Sequence, residues 1–287
     1  MKNFYLVSTD HLKSGTLFED EDDFRVGMNI VAIGSYLTGV KVLTFILMST
    51  HVHFVLLCSK NEAKCFIDKF KMLYGKHYCR KYEANDYLRR LGIDIQEVFL
   101  EDESFFRAVA YVQMNCVAAN LVPSPVLFPW GTGAVYFNAN TQYGQKLSEM
   151  SQNARRKLLK SRVELPEDYL IGEGGYILPC SYVPVKYVES LFRTPKRYAF
   201  FLNTSSKAKQ RMEKTEAPSF SDHIVKAVMI NIIHSLFRKA SLQDLNDVQK
   251  AELMRQVQRR FSSDESQLVR VSGLQPDEVS RLINGFY

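Results

Sequence analysis

The longest apolar stretch of the chain, from Met28 to Cys58, limits the folds that the chain can adopt. It is long enough to suggest a membrane span, but Lys41, two glycines and a pair of histidines interrupt it. Its β-branched and aromatic residues are more typical of buried strands. We therefore expect no membrane segment and predict a hairpin, formed by residues 40–48 and 51–58, that is apolar on both faces and central in a sheet.

The segments around this hairpin carry the patterns of both helices and strands. They predict, in chain order, a strand at 3–9, a helix at 22–37, a long basic helix at 59–87, a short strand at 95–100 and a helix at 104–120. Strand, helix, hairpin, helix, strand and helix is the order of a compact domain with a mostly antiparallel sheet. We therefore predict an α+β fold class: a ferredoxin-like antiparallel sheet with helices on one face, plus an α-helical C-terminal extension.

The chain is expected to fall into three parts. Residues 1–140 would form the first domain, residues 141–218 a connector region with short helices, and residues 219–287 a helical domain. The stretch 205–217, rich in Lys and Glu, is typical of an exposed linker.

Composition sets only broad limits. Lys and Arg number 37 against 31 Asp and Glu, so a net charge of +6 permits a polyanionic partner without requiring one. The five cysteines have no Cys-x-x-Cys spacing, and we interpret them as reduced thiols. The N-terminal residues lack the basic start and apolar block of a signal peptide, so we expect a cytoplasmic protein.

Two pairs of residues carry the chemical interest. His51 and His53 are two apart on a predicted strand, so both imidazoles point to the same face and could hold a divalent metal. Tyr111 and Asn115 are four apart on a predicted helix and share one face, which could place an amide oxygen and a phenol beside that metal. Hydrogen-bonded core histidines and a core tyrosine are the alternative interpretation of the same residues.

The combination resembles a known family. Residues 51–57 (HVHFVLL) and 111–122 (YVQMNCVAANLV) are similar to the histidine and tyrosine motifs of the single-tyrosine HUH transposases, in the branch of REP-associated tyrosine transposases. Residues 5–7, 17–20 and 128–130 match that family in order and approximate spacing. The resemblance spans residues 3–137, about half of the chain.

The resemblance implies an activity and a site. His51, His53 and Asn115 would bind Mg²⁺ or Mn²⁺, and Tyr111 would attack a DNA phosphodiester to leave a 5′-phosphotyrosine and a free 3′-hydroxyl. The implied partner is single-stranded or hairpin DNA, cleaved at hairpin-associated sites by a monomer or a homodimer. The function would be that of a DNA transposase, a single-strand nuclease and strand transferase.

Several positions depart from the family pattern. Ser49 and Thr50 replace a usual Pro-Asn, and Cys116, Ala118 and Asn120 stand where Pro, Arg and Gly are common. These departures leave open a domesticated, non-catalytic DNA-binding protein of the same fold. A second alternative is a two-domain regulator whose N-terminal half senses a small ligand, which predicts a closed apolar pocket.

Two further segments carry features of DNA binding. On the long basic helix, tyrosines interleave with Lys71, Lys76, Arg80 and Lys81, a mixture that suits the phosphates and bases of a single strand. A solvated helix face is the alternative there.

Near the C-terminus, Gly273 and Pro276 punctuate a predicted helix-turn-helix. Gln275, Ser280 and Arg281 would then be exposed to a major groove. A purely structural helix pair is equally compatible with this pattern.

Overall fold

The computed structural model describes residues 2–12, 15–83, 87–138, 143–206, 220–261 and 263–284. Most of the linker predicted at 205–217 lies outside these residues. The contacts divide the chain into two compact units. The first comprises residues 1–10, 22–48 and 52–214, and the second comprises residues 11–21, 49–51 and 215–287.

The first four strands of the chain form one sheet. Its strands are β1 (Asn3–Thr9), β2 (Lys41–Met48), β3 (His51–Cys58) and β4 (Ile93–Val98), in the spatial order β2-β3-β1-β4. Strand β1 is antiparallel to both β3 and β4, and Ser8 lies opposite His53. The predicted α+β class and the ferredoxin-like strand order are confirmed.

Helices make up most of the remaining regular structure. The helices of the first unit are α1 (Glu21–Thr38), α2 (Lys60–Tyr82), α3 (Tyr87–Arg90), α4 (Ser104–Ala118), α5 (Gln152–Leu159), α6 (Val185–Phe192) and α7 (Pro195–Thr204). Short 3₁₀ turns lie at Pro125–Leu127, Leu147–Glu149 and Pro179–Ser181, and a small second sheet pairs β5 (Gln145–Lys146) with β6 (Leu170–Ile171). None of the described helices combines the length and the apolar composition needed to span a bilayer.

The two faces of the sheet carry different helices. Phe54 of β3 contacts Phe66 and Phe70 of α2, and α1 packs beside α2 on that face, where Gly34 abuts Phe66. His53, the residue before Phe54 in β3, contacts Tyr111 of α4 instead. Because successive side chains of a strand point to opposite faces, α1 and α2 cover one face, as predicted, and α4 lies over the other. The sheet therefore presents its two histidines to the helix that carries the tyrosine.

Local sequence explains where these helices begin and end. Ser59 and Glu62 form a capping box, so α2 begins at Lys60. The helix ends at Tyr82, earlier than the predicted residue 87, because Glu83 adopts the left-handed conformation. Helix α4 ends two residues before its predicted end, and Asn120 has a φ of 57°, a conformation that asparagine and glycine tolerate best.

The second unit is a helical bundle with its own core. It contains α8 (Asp222–Ser235), a 3₁₀ turn (Leu242–Asp244), α9 (Asp247–Phe261), α10 (Glu265–Ser272) and α11 (Pro276–Asn284). Its helices bury Val225, Met254, Leu268, Val279 and Leu282 together. Gly273 takes a left-handed conformation after α10, and Pro276 opens α11, where the sequence puts the turn.

Candidate functional site: a histidine pair and a tyrosine

His51 and His53 point to the same face at the start of β3, since they are two residues apart in one strand. Both are buried, with 5% and 2% of their surface exposed. Each ring is held at Nδ1 by a neighbouring hydroxyl: Nδ1 of His53 lies 2.7 Å from Oγ of Ser8, and Nδ1 of His51 lies 3.0 Å from Oγ1 of Thr50. These hydroxyls fix the rotation of both imidazoles.

In one tautomer of these two rings, Nε2 is the atom that can act as a ligand. With Nδ1–H donating to a hydroxyl, Nε2 carries the lone pair that a metal ion requires. Metal-ligating histidines commonly have an acceptor of this kind behind the ring. The donor chemistry of the pair therefore fits a divalent cation.

Tyr111 lies on α4, the helix that packs on the sheet face to which His53 points. Its ring meets the ring of His53 edge to face, with centroids 5.2 Å apart and an interplanar angle of 76°. The residue is half-buried, and burial raises the pKa of its phenol above the ordinary value of 10. A phenol in this setting is protonated at neutral pH and becomes a better nucleophile beside a cation.

Asn115 shares the helix face of Tyr111 and is buried. Its Nδ2 donates to the main-chain oxygen of Tyr111 at 2.7 Å and to that of Val112 at 3.4 Å. The amide is thus oriented by its own helix. That it ligates a metal through Oδ1 stays a prediction.

A buried polar chain fixes the rotation of α4 over the sheet. Tyr198 of α7 donates to Oε1 of Gln113, and Nε2 of Gln113 donates to Oγ1 of Thr44 on β2 at 3.4 Å. Thr44 in turn is 2.5 Å from the hydroxyl of Thr132. Gln113 lies between Tyr111 and Asn115 in α4. This series of hydrogen bonds therefore holds in place the helix that carries both candidate residues.

A third histidine, which no sequence motif indicated, lies beside this pair. His11 follows β1, is exposed, and stacks on His51 with ring centroids 3.6 Å apart. One ring nitrogen of each of His11, His51 and His53 lies within 4.8 Å of the others. No local motif identifies His11, because it lies in a loop far from the other two in sequence. The roles of Ser8 and Thr50 were also missed, and only the strand register would have revealed that of Ser8.

The residues predicted to bind DNA lie in different environments. Lys71 is buried, and its Nζ donates to the main-chain oxygen of Leu91 at 2.6 Å, so it is not on the exposed basic face that the sequence analysis assigned to it. Lys76 and Arg80 are exposed on α2. Lys81 is bonded to Asp23 at 2.9 Å.

The C-terminal candidates are at the surface of the second unit. Gln275 and Arg281 are exposed and Ser280 is half-buried. Arg281 lies 3.3 Å from Asp247 in an exposed ion pair. DNA binding by these residues stays a prediction.

A second group with metal-ligand chemistry comprises Asp22, Asp23 and His77. Its carboxylates already have cationic partners: Lys81 is 2.9 Å from Asp23, and Lys160 is 2.7 Å from Asp22. Although burial alone would raise the pKa of Asp22, Lys160 and Lys81 hold it below its ordinary value. We interpret this group as a structural ion-pair network.

Comparisons with known proteins give one similar chain. No family model matches this sequence, and no curated protein matches it. One solved structure, a REP-associated tyrosine transposase bound to a REP hairpin, is similar at 11% identity and a TM-score of 0.34. The match covers 46% of this chain and 78% of that one. At so low a TM-score, the interpretation of the site depends on the residues and geometry described above.

Proposed function

We propose that this chain is a metal-dependent single-strand DNA endonuclease and strand transferase, with Tyr111 as its nucleophile. In this proposal His51, His53 and Asn115 hold a divalent cation, for which the family resemblance implies Mg²⁺ or Mn²⁺. The substrate is single-stranded DNA next to a hairpin.

Each part of the site has a chemical task. A divalent cation bound by the two imidazoles would neutralise the non-bridging oxygens of a phosphodiester, which otherwise repel a nucleophile. Oη of Tyr111 forms a bond to phosphorus as the P–O3′ bond breaks. O3′ leaves with the electron pair and takes up a proton, while the phenolic proton passes to water. The products are a 5′-phosphotyrosine and a 3′-hydroxyl.

The covalent link retains the energy of the broken phosphodiester bond, so a second 3′-hydroxyl can reverse the step. That hydroxyl attacks the phosphotyrosine, and the phenol leaves and regains a proton. The same residues thereby support both nicking and joining of strands.

The observation that carries the proposal is the contact between the rings of Tyr111 and His53 at 5.2 Å. The proposal requires a phenol and the histidine pair on one face of the sheet, and α4 lies over that face. This contact also argues against a small-ligand regulator, because a tyrosine remote from the histidines would have favoured that alternative.

The test is the formation of a covalent adduct. Wild type, Tyr111→Phe and the control Tyr143→Phe, whose ring is 83% exposed, are incubated with 5′- and 3′-labelled hairpin-flanking single strands and Mn²⁺. We expect wild type and the control to give a protein band linked to the strand downstream of the nick, and Tyr111→Phe to give none.

Binding is measured in parallel by electrophoretic mobility shift. If wild type binds the DNA but forms no adduct at any divalent ion tested, the endonuclease proposal is overturned and the non-catalytic binding function replaces it. If Tyr111→Phe still forms an adduct, another residue is the nucleophile.

A further inference from the structure

His11 lies beside the proposed metal ligands but is not one of them. It lies two residues beyond the end of β1, and its imidazole stacks on that of His51. Its nitrogen belongs to the group of three that lie within 4.8 Å of one another. In the part of the chain that the structure describes, this group and the Asp22, Asp23 and His77 network are the sets of at least three such side chains that could hold a metal ion.

We propose that His11 is a third imidazole ligand, and that the site therefore selects a borderline metal ion, such as Co²⁺ or Zn²⁺, over Mg²⁺. This inference rests on the proposed metal site of His51 and His53, and it adds His11 to that set.

The preference for such ions over Mg²⁺ follows from the chemistry of the ligands. Mg²⁺ is a hard cation that prefers six oxygen ligands and gives up water reluctantly. Imidazole nitrogens suit first-row transition metals, whose affinities for nitrogen sites rise from Mn²⁺ towards Cu²⁺. A third imidazole in place of water or oxygen raises affinity for these ions and lowers the relative affinity for Mg²⁺.

The exposed ring of His11 has the most freedom to adjust to a metal ion. His51 and His53 are buried and each is held at Nδ1 by a hydroxyl, which restricts the rotation of both rings. Metal–nitrogen bonds of about 2.1 Å put neighbouring ligand nitrogens roughly 3.0–3.4 Å apart. His11 is exposed, so a rotation of its side chain can close the group to that separation.

The test is a Co²⁺ titration of the full chain, followed by its visible absorption and by calorimetry. The variants are His11→Ala, His51→Ala, His53→Ala and the control His234→Ala, whose imidazole is exposed in α8. Circular dichroism and thermal melting establish that each variant is folded. We expect one Co²⁺ per chain in wild type and the control, and affinity at least about tenfold weaker in His11→Ala. We also expect a hundredfold excess of Mg²⁺ to leave most of the Co²⁺ bound in wild type.

The outcomes separate this inference from the proposed function. Equal Co²⁺ affinity and an identical spectrum in His11→Ala and wild type would overturn the role of His11, as would displacement of Co²⁺ by equimolar Mg²⁺. If His51→Ala and His53→Ala also bind Co²⁺ as wild type does, the metal site of the proposed function fails as well. If these two lose Co²⁺ and His11→Ala does not, only the inference about His11 fails.

Discussion

The ring of Tyr111 meets the ring of His53 edge to face, with the two centroids 5.2 Å apart. The same imidazole is held from its other side, because Nδ1 of His53 lies 2.7 Å from the hydroxyl of Ser8. The orientation of the tyrosine–histidine pair therefore depends on a side chain of β1, a strand that carries neither candidate ligand nor nucleophile.

We predict that Ser8→Ala weakens metal binding without unfolding the protein. Loss of the hydroxyl removes the hydrogen-bond partner that fixes the rotation of His53, and losses of this kind reduce metal affinity by about 10–100-fold. Calorimetric titration with Mn²⁺ measures the effect. Ser190→Ala, which removes an exposed hydroxyl on α6, is the matched control and should bind as wild type does. Unchanged affinity in Ser8→Ala would show that Ser8 does not orient the ligand.

We predict that Gln113→Leu destabilises the first unit and that its effect is coupled to Tyr198. Replacing the amide leaves the buried hydroxyls of Tyr198 and Thr44 without this partner, at a cost of about 1–3 kcal/mol in the free energy of unfolding. Urea denaturation measures Gln113→Leu, Tyr198→Phe and the double variant. The double variant should lose less than the sum of the two single losses. Additive losses would mean that the two residues act independently.

The sequence was sufficient to predict β3, which carries the two histidines, and its neighbour β1. The bounds of β1 and β3 match the predictions, because strands with abundant Val, Leu and Phe have a clear pattern. The ends of α2 and α4 were placed too far along the chain. Glu83 and Asn120 take left-handed conformations near those ends, and neither is the glycine that usually marks such a position.

Other features depend on contacts that local patterns do not contain. The role of Ser8 follows from the pairing register of β1 and β3, and the position of His11 follows from the path of the loop after β1. The burial of Lys71, by contrast, could have been predicted from the sequence. The spacing of Ile67, Lys71, Tyr74 and Tyr78 places Lys71 on the apolar stripe of α2, where it is buried.

We predict that Asp23→Ala strongly destabilises the packing of α1 against α2. The carboxylate of Asp23 is fully buried and accepts bonds from Lys81 at 2.9 Å and Tyr82 at 2.7 Å, with Nε2 of His77 at 2.8 Å. Removing one member of a buried charge pair costs about 3–5 kcal/mol, because the remaining charge is uncompensated. Urea denaturation of wild type and variant measures the loss.

Asp68→Ala is the control for this change. Asp68 forms an exposed pair with Lys64 at 2.6 Å on the same helix, and its loss should change stability by less than about 0.5 kcal/mol. Comparable losses in the two variants would mean that the buried network adds nothing beyond a surface ion pair.

We predict that Asp222 makes the stability of the second unit depend on pH in the acid range. Although burial alone would raise the pKa of this carboxyl, bonds from Arg270, Gln267 and Ser49 hold it below the ordinary value of 3.8. A lowered folded-state pKa means that the stabilisation is complete above the unfolded-state pKa. It is lost progressively as the pH falls below about 4 towards the folded-state pKa.

The measurement compares wild type with Asp222→Asn by urea denaturation between pH 7 and pH 3. At pH 7 the variant should be less stable by about 2–3 kcal/mol, since Arg270 keeps its charge in a partly buried site without its carboxylate partner. That difference should shrink below about pH 4, where the carboxyl of the unfolded wild type begins to protonate while the folded one is still ionised. Burial lowers the pKa of the neighbouring His223, so its protonation below pH 6.5 weakens the unit in both proteins. A difference that stays constant from pH 7 to pH 3 would show that the charge of Asp222 does not stabilise this unit.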